Sequence, residues 1–229
     1  SQYLIVPEGK KKPADLDKEI VVLKQPLEHI YLAATSAMAL FDAMDGLDSI
    51  RMSGAQASDW YIDHAKKAME DGKILFAGKY SEPDYEMLID EDCDLAIEST
   101  MILHTPKVQE MIEDLDIPVF IDRSSYESHP LGRTEWIKAY AAMLNKEDAA
   151  DRFFEEQAQV IEKLKEQGIY EEKLNLCRVH AHTVRIGDLE VDAMESADSA
   201  ACVDLYTRHY AGDIAEIGTA FQQCACTAC

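Results

Sequence analysis

A chain of 229 residues that carries Asp+Glu 44 against Lys+Arg 22 has a formal net charge of −22. A surface of that sign repels phosphate and anionic lipid, which excludes nucleic acid as a partner. No apolar run reaches the roughly 18 residues that span a bilayer, and the length suits one large domain or two small ones.

Residues 1–19 are polar and include Lys10-Lys11-Lys12-Pro13; they read as an arm that pairs at its ends. Ile20–Leu23 is β-branched and predicts a strand, Gln25-Pro26 a turn, and His29–Ala33 a second strand. Thr35-Ser36 has the chemistry of a helix N-cap, and Met38, Phe41, Met44 and Leu47 follow as an apolar stripe at helical spacing. Ser49–Met52 predicts a strand, Ser58 or Asp59 the cap of a helix through Met69, and Lys73–Ala77 another strand. A helix over Asp84–Ile89, a strand over Cys93–Ile97 and a helix over Pro106–Glu113 continue the alternation. Ile117–Ile121 is an apolar strand that turns abruptly polar, with Arg123, Ser124, Tyr126, Glu127 and His129 in quick succession. Strands alternating with helices at this spacing predict βαβ units and a parallel sheet.

From Arg133 to Gln167 the pattern is helical, with one stripe through Trp136, Ile137, Tyr140 and Leu144 and another through Phe153, Val160, Ile161 and Leu164. The second helix, Lys146–Gln167, is long enough for a strut between two parts. Beyond it the composition changes. Cys177, Cys202, Cys224, Cys226 and Cys229 all follow residue 176, whereas every lysine lies at or before Lys173 and every proline at or before Pro130. A strand over Leu176–Ile186 and helices over Val191–Tyr206 and Ile214–Phe221 are the readings there. The chain therefore divides into an α/β ligand-binding lobe over 1–145, a connecting helix over 146–168 and a reduced or atypical second lobe over 169–229.

Each predicted strand–helix junction is polar: Thr35 and Ser36; Arg51, Ser53 and Gly54; Lys79 and Tyr80; Glu98, Ser99 and Thr100; Arg123, Ser124 and Tyr126, with His129 beyond. A parallel sheet brings such junctions to one edge, where open α/β sheets bind ligands. Capping explains hydroxyls but not cations, so Arg51, Lys79 and Arg123 mark the edge for an anionic or oxygen-rich ligand. The sequence holds no glycine-rich phosphate loop, no G-x-S-x-G and no H-E-x-x-H. Glu127 with His129 offers an acid/base pairing, but such a pair is common and unspecific; we expect a binding protein without a cofactor and not an enzyme. In the tail, Cys177, His180, His182, Cys224, Cys226 and Cys229 are candidate soft metal ligands, although their spacing fits no standard zinc pattern and disulfides or free thiols are the alternative.

The order of segments over residues 16–165 resembles the extracytoplasmic substrate-binding proteins of iron–siderophore, haem and vitamin B12 ABC importers. The resemblance rests on His29-Ile30-Tyr31-Leu32 followed by Ser36, and on Asp84–Ile89 followed by Cys93–Ile97. Ile117-Pro118-Val119 and the run Ser128-His129-Pro130-Leu131-Gly132-Arg133 with Glu135-Trp136-Ile137-Lys138 complete it. It implies two α/β lobes joined by a long helix, and a ferric siderophore or similar metal chelate as ligand. It also implies that Glu86 docks on a membrane permease and that the protein works outside the cytoplasm as a lipoprotein or periplasmic component. The chain opens at Ser1 without Met, as a processed or trimmed product would. The tail departs from the family pattern, which leaves a second reading: a one-lobed, non-transporting interaction or metal-buffering module.

Overall fold

The computed structural model describes residues 2–166 and the strand residues 183–186 and 189–192. Contacts divide the chain into one unit over Ser1–Phe154 and another over Glu155–Cys229.

The first unit begins with β1 (Gln2–Val6), which pairs in parallel with β2 (Ile20–Lys24). The predicted polar arm thus starts as a strand, and the lysine run lies in the connection. Apolar Tyr3, Ile5, Val21 and Leu23 pack on the main core and hold this ribbon to the lobe. The Tyr3 hydroxyl donates to the Val119 carbonyl (2.8 Å), and the Gln25 amide donates to the Ala142 (2.8 Å) and Met143 (3.3 Å) carbonyls.

The main sheet follows. Its strands are β3 (Ile30–Leu32), β4 (Ile50–Ser53), β5 (Leu75–Phe76), β8 (Leu95–Ser99) and β9 (Val119–Asp122). Between the third and fourth of these, β6 (Gly78–Lys79) and β7 (Glu82–Pro83) form a small antiparallel hairpin. The sheet order is β5-β4-β3-β8-β9, and every pairing within it is parallel. Counted along the chain this is the 3-2-1-4-5 order of a doubly wound fold, and the topological switch point falls between β3 and β8. The parallel α/β lobe read from the sequence is present.

Helices cover both faces. On one side α1 (Thr35–Ala43), α2 (Asp63–Glu70) and α5 (Pro130–Leu144) bury Met38, Phe41, Ala65, Ile137 and Tyr140 against Ile30, Leu32, Leu95, Ile97 and Phe120. On the other side α3 (Tyr85–Asp90) and α4 (Pro106–Glu113) bury Leu88 and Ile112 against Tyr31, Met52, Ala96 and Val119. The two sets alternate along each strand, as the pleat requires.

Three predicted helix boundaries move, each for a local reason. The α1 N-cap is Ala34 with no side-chain cap, because the Ser36 hydroxyl is engaged elsewhere. Residues 57–59 form a 3-10 turn closed by a reciprocal Gln56–Asp59 capping box, so α2 starts later, at Asp63. Pro130 at the first helical turn lets α5 begin ahead of Arg133. Asn145, in the left-handed conformation at φ 57, ends α5 before α6 (Glu147–Glu166) begins. Glu147 and Asp148 in the first turn of α6 and Lys163 and Lys165 in its last suit the helix dipole.

In the second unit the described strands β10 (Thr183–Ile186) and β11 (Leu189–Asp192) pair antiparallel. The first overlaps the predicted Leu176–Ile186 strand. The second occupies the start of the span read as the Val191–Tyr206 helix, which is corrected there; a four-residue strand with alternating Leu189 and Val191 fits sheet pairing. The Ile214–Phe221 helix and all six candidate Cys and His ligands of the tail lie outside the described residues. No described helix is long and apolar enough to cross a membrane.

Candidate functional site

The carboxyl ends of the five parallel strands define the candidate site. Leu32, Ser53, Phe76, Ser99 and Asp122 end the strands, and the segments leaving them carry most of the predicted polar residues. The backbone at the switch point is tightly drawn: the Ala33 and Ala34 amides both donate to the Ile97 carbonyl (2.9 and 3.0 Å). Gly54 donates to the Leu32 carbonyl (2.8 Å), and a Cβ at Gly54 would stand 2.8 Å from the Ala33 Cα. Only glycine lets the β4 turn lie this close to the β3 turn.

Asp122 organises the β9 end of this edge. It is 4% exposed, and its carboxylate accepts from the Ser36 hydroxyl (2.5 Å), the Ser124 amide (2.6 Å) and the Ser124 hydroxyl (3.1 Å). Ser36 and Ser124, both read as ligand contacts, are therefore joined to one another through a buried carboxylate. Asp-x-Ser after a strand is a recognisable side-chain turn. The tie to Ser36 spans 86 residues and had no local signal. Burial and the Asp122 charge push the Tyr140 phenol beneath it well above its ordinary range.

The loop beyond β9 is held from α5. Arg133 donates to the Glu127 (3.3 Å) and Ser125 (3.2 Å) carbonyls, and the Trp136 indole donates to the Glu127 carboxylate (3.1 Å). His129 caps α5, its Nδ1 accepting from the Leu131 amide (3.1 Å). Glu127 and His129 are thus each assigned a structural partner. Arg123 is exposed, and Tyr126, 73% exposed, accepts through its hydroxyl from Thr100 (3.1 Å). That bond joins the segments leaving β8 and β9.

The other predicted residues fall as follows. The Ser53 hydroxyl is used within its own turn, donating to the Ala55 carbonyl (2.9 Å) and accepting from the Ala55 amide (3.1 Å). Ser99 accepts from the Met101 amide (3.3 Å) and starts a 3-10 turn. Lys79, at the end of β6, is exposed, and Tyr80, in the turn to β7, is half-buried. Exposed Tyr61, Phe76, Met101 and Leu103 add apolar surface to the segments that leave β4, β5 and β8.

Arg51 is a correction. The register between β3 and β4 shifts so that Ile50 pairs with Ile30 and Met52 with Tyr31, leaving Arg51 as the extra residue. Its guanidinium donates to Glu91 (2.7 Å) and to the Gly72 (3.1 Å) and Lys73 (2.7 Å) carbonyls. Those groups precede β8 and β5, so Arg51 faces the amino ends of the strands. Its hydrogen bond and charge hold the Glu91 carboxyl below its usual range. Replacing Arg51 by Met is expected to lower the urea midpoint while changing any ligand Kd by less than about twofold, as for distant independent sites. A large loss of affinity in equilibrium titrations would return Arg51 to the site.

Glu98 is the residue that stands apart. It lies near the carboxyl end of β8, an interior strand, and faces the same side as Ala96 and Tyr31. It is fully buried, and neither carboxylate oxygen has a hydrogen-bond partner among the described residues. Burial alone pushes its acid up to about 8, so it is mostly protonated at neutral pH. Tyr31 and Tyr85 are both raised, first by burial and then by the Glu98 charge. Cys93 near Tyr31 is pushed up to about 12, chiefly by burial. Among the described residues no group of three or more His, Cys, Asp and Glu is placed to hold a metal ion.

The fold and its edge define a doubly wound α/β lobe with a mixed polar and apolar surface at the strand carboxyl ends. No family model matches the chain. It is 29% identical over 144 residues to an uncharacterized lipoprotein of Methanocaldococcus jannaschii; the match takes in 58% of this chain and 33% of that protein. Among solved structures it is similar to the iron uptake ABC transporter substrate-binding protein PiuA from Streptococcus pneumoniae (19% identity, TM-score 0.47), over 61% of this chain and 45% of that one. It is also similar to the periplasmic haem binding protein HutB of Vibrio cholerae (17% identity, TM-score 0.48), over 59% and 48%. The chain thus spans a third of the length of the curated relative it matches, and under half of these two structures.

Proposed function

We propose that this lobe belongs to the solute-binding component of an ABC importer, which captures an iron–siderophore or a related chelate such as haem or a corrinoid outside the cytoplasm. The observation that carries the reading is the carboxyl edge of the 3-2-1-4-5 sheet. It presents an exposed cation, Arg123, beside exposed Tyr126, with exposed apolar side chains on neighbouring segments. A guanidinium pairs with the anionic oxygens of a chelate, and aromatic and thioether groups cover its apolar parts. Lys79, Tyr80 and Ser99 extend the polar part of that surface. Glu86, exposed in the first turn of α3, is the residue we assign to the membrane permease, and α6 is the connecting helix. The role is capture and delivery, with no chemical step.

The test is a titration followed by the fluorescence of Trp60 and Trp136, with ferric siderophores, haem and cobalamin as ligands. One of them is expected to bind, and Arg123→Ala to weaken that binding about tenfold, the value of one charge-assisted hydrogen bond. If none binds at micromolar concentration, the transport reading fails for this chain.

A further inference from the structure

We propose that Glu98 is a proton-operated latch on the segment Gly78–Tyr85, which packs down while Glu98 is neutral and loosens when Glu98 ionises. The geometry places the latch. Gly78–Tyr85 leaves the end of β5, forms the β6–β7 hairpin and enters α3. It is tied to β3 at its Gly78 end, and its Asp84 end closes back on the residue that follows β5. The Tyr31 hydroxyl donates to the Gly78 carbonyl (3.0 Å), and the Asp84 amide donates to the Ala77 carbonyl (2.8 Å). The hairpin requires glycine at position 78, whose φ is +81 and whose added Cβ would stand 2.3 Å from the Glu82 carbonyl oxygen.

Glu98 sits within reach of both tyrosines that bracket this segment. The groups facing it are Tyr31 from β3 and Tyr85 from α3, with Cys93 in the same surroundings through Tyr31; its register partner on β9 is Ile121. Lys79 and Glu82 of the hairpin are exposed. No described cation pairs with Glu98, and its oxygens accept no described hydrogen bond. A neutral acid tolerates that setting at modest cost. A carboxylate does not, and must gain water or a donor. The element whose displacement would admit water is the one joined to β3 by one hydrogen bond, since the strands flanking β8 are fixed by ladders. With its acid at about 8, the change falls within the range of ordinary solution conditions. The device needs no ligand, so it stands or falls separately from the transport reading.

Hydrogen–deuterium exchange at pH 7 and pH 9, expressed as protection factors against intrinsic rates, tests it on the whole chain. In the unsubstituted protein, amides of residues 78–85 are expected to lose about tenfold in protection, because the ionised fraction of an acid at about 8 rises about tenfold from pH 7 to pH 9 and then saturates, while β3 and β8 hold theirs. Glu98→Gln and Glu98→Met are expected to abolish that loss. Either variant suffices if the other does not fold. If neither folds, the contrast between residues 78–85 and the strands in the unsubstituted chain decides. Equal losses in variant and parent, no loss in the parent, or a loss spread evenly over the sheet would each overturn the proposal.

Discussion

Replacing Glu98 by Met is expected to remove a destabilisation that grows steadily with pH between about 4.5 and 8. The sign follows from where the proton is held. In the unfolded chain Glu98 ionises near its ordinary value of 4.5, whereas in the folded lobe burial raises it to about 8. Below pH 4.5 both states are protonated and the residue adds no pH dependence. Between the two values the folded state keeps a proton that the unfolded state has lost, so stability falls as pH rises. The slope is about 1.4 kcal/mol per pH unit, and the whole penalty is on the order of 4 to 5 kcal/mol above pH 8. The difference in unfolding free energy between Glu98→Met and the parent should therefore widen across that window. At pH 7 the variant should be the more stable by roughly 3 kcal/mol. Urea unfolding at half-unit intervals of pH measures it, and a difference curve flat from pH 5 to 8 would show that Glu98 is not held as a buried acid.

Removing Asp122 should act in the opposite direction. Asp122→Ala strands the Ser36 hydroxyl and both the amide and hydroxyl of Ser124 next to a buried site. Hydrogen bonds to a charged acceptor contribute about 1.5 to 3 kcal/mol, and unmet buried donors cost comparably. Some of these donors will find water, so the expected loss is about 3 kcal/mol, read as a lower urea midpoint with an unchanged slope. Ser36→Ala alone should cost about 1 kcal/mol, and the double variant less than the two effects combined, because the same bond is removed twice. Additivity would mean that the Ser36–Asp122 bond contributes nothing in solution.

These two carboxyls also show where sequence reasoning works and where it stops. The order of strands and helices was readable because Ile-Tyr-Leu, Leu-Ala-Ile and Val-Phe-Ile runs are short, apolar and bounded by turn residues, and because helices with clear stripes separate them. The edge was readable for the same reason, since strand ends in a parallel sheet gather on one side. What each polar residue does there was not. Glu98 follows an apolar run and looked like a surface ligand contact, yet the pleat turns it inward among tyrosines. Arg51 sits in a strand of four residues, and a single register shift sends it to the opposite end of the sheet. Ser36 had the appearance of a cap and is spent on a partner 86 residues away. Local pattern fixes which residues are near a strand end, whereas side-chain direction and long-range partners depend on the assembled sheet.

The ribbon of β1 and β2 has a consequence for the order in which the lobe is completed. Its anchors are the Tyr3 bond to Val119 and the Gln25 bonds to Ala142 and Met143, pairs separated by 116 to 118 residues. Synthesis delivers β1 and β2 before β9 and the end of α5, so these anchors close only after both have followed. Long-range closures of this kind are entropically late steps. The β1–β2 ribbon is thus seated late, after β9 and the end of α5.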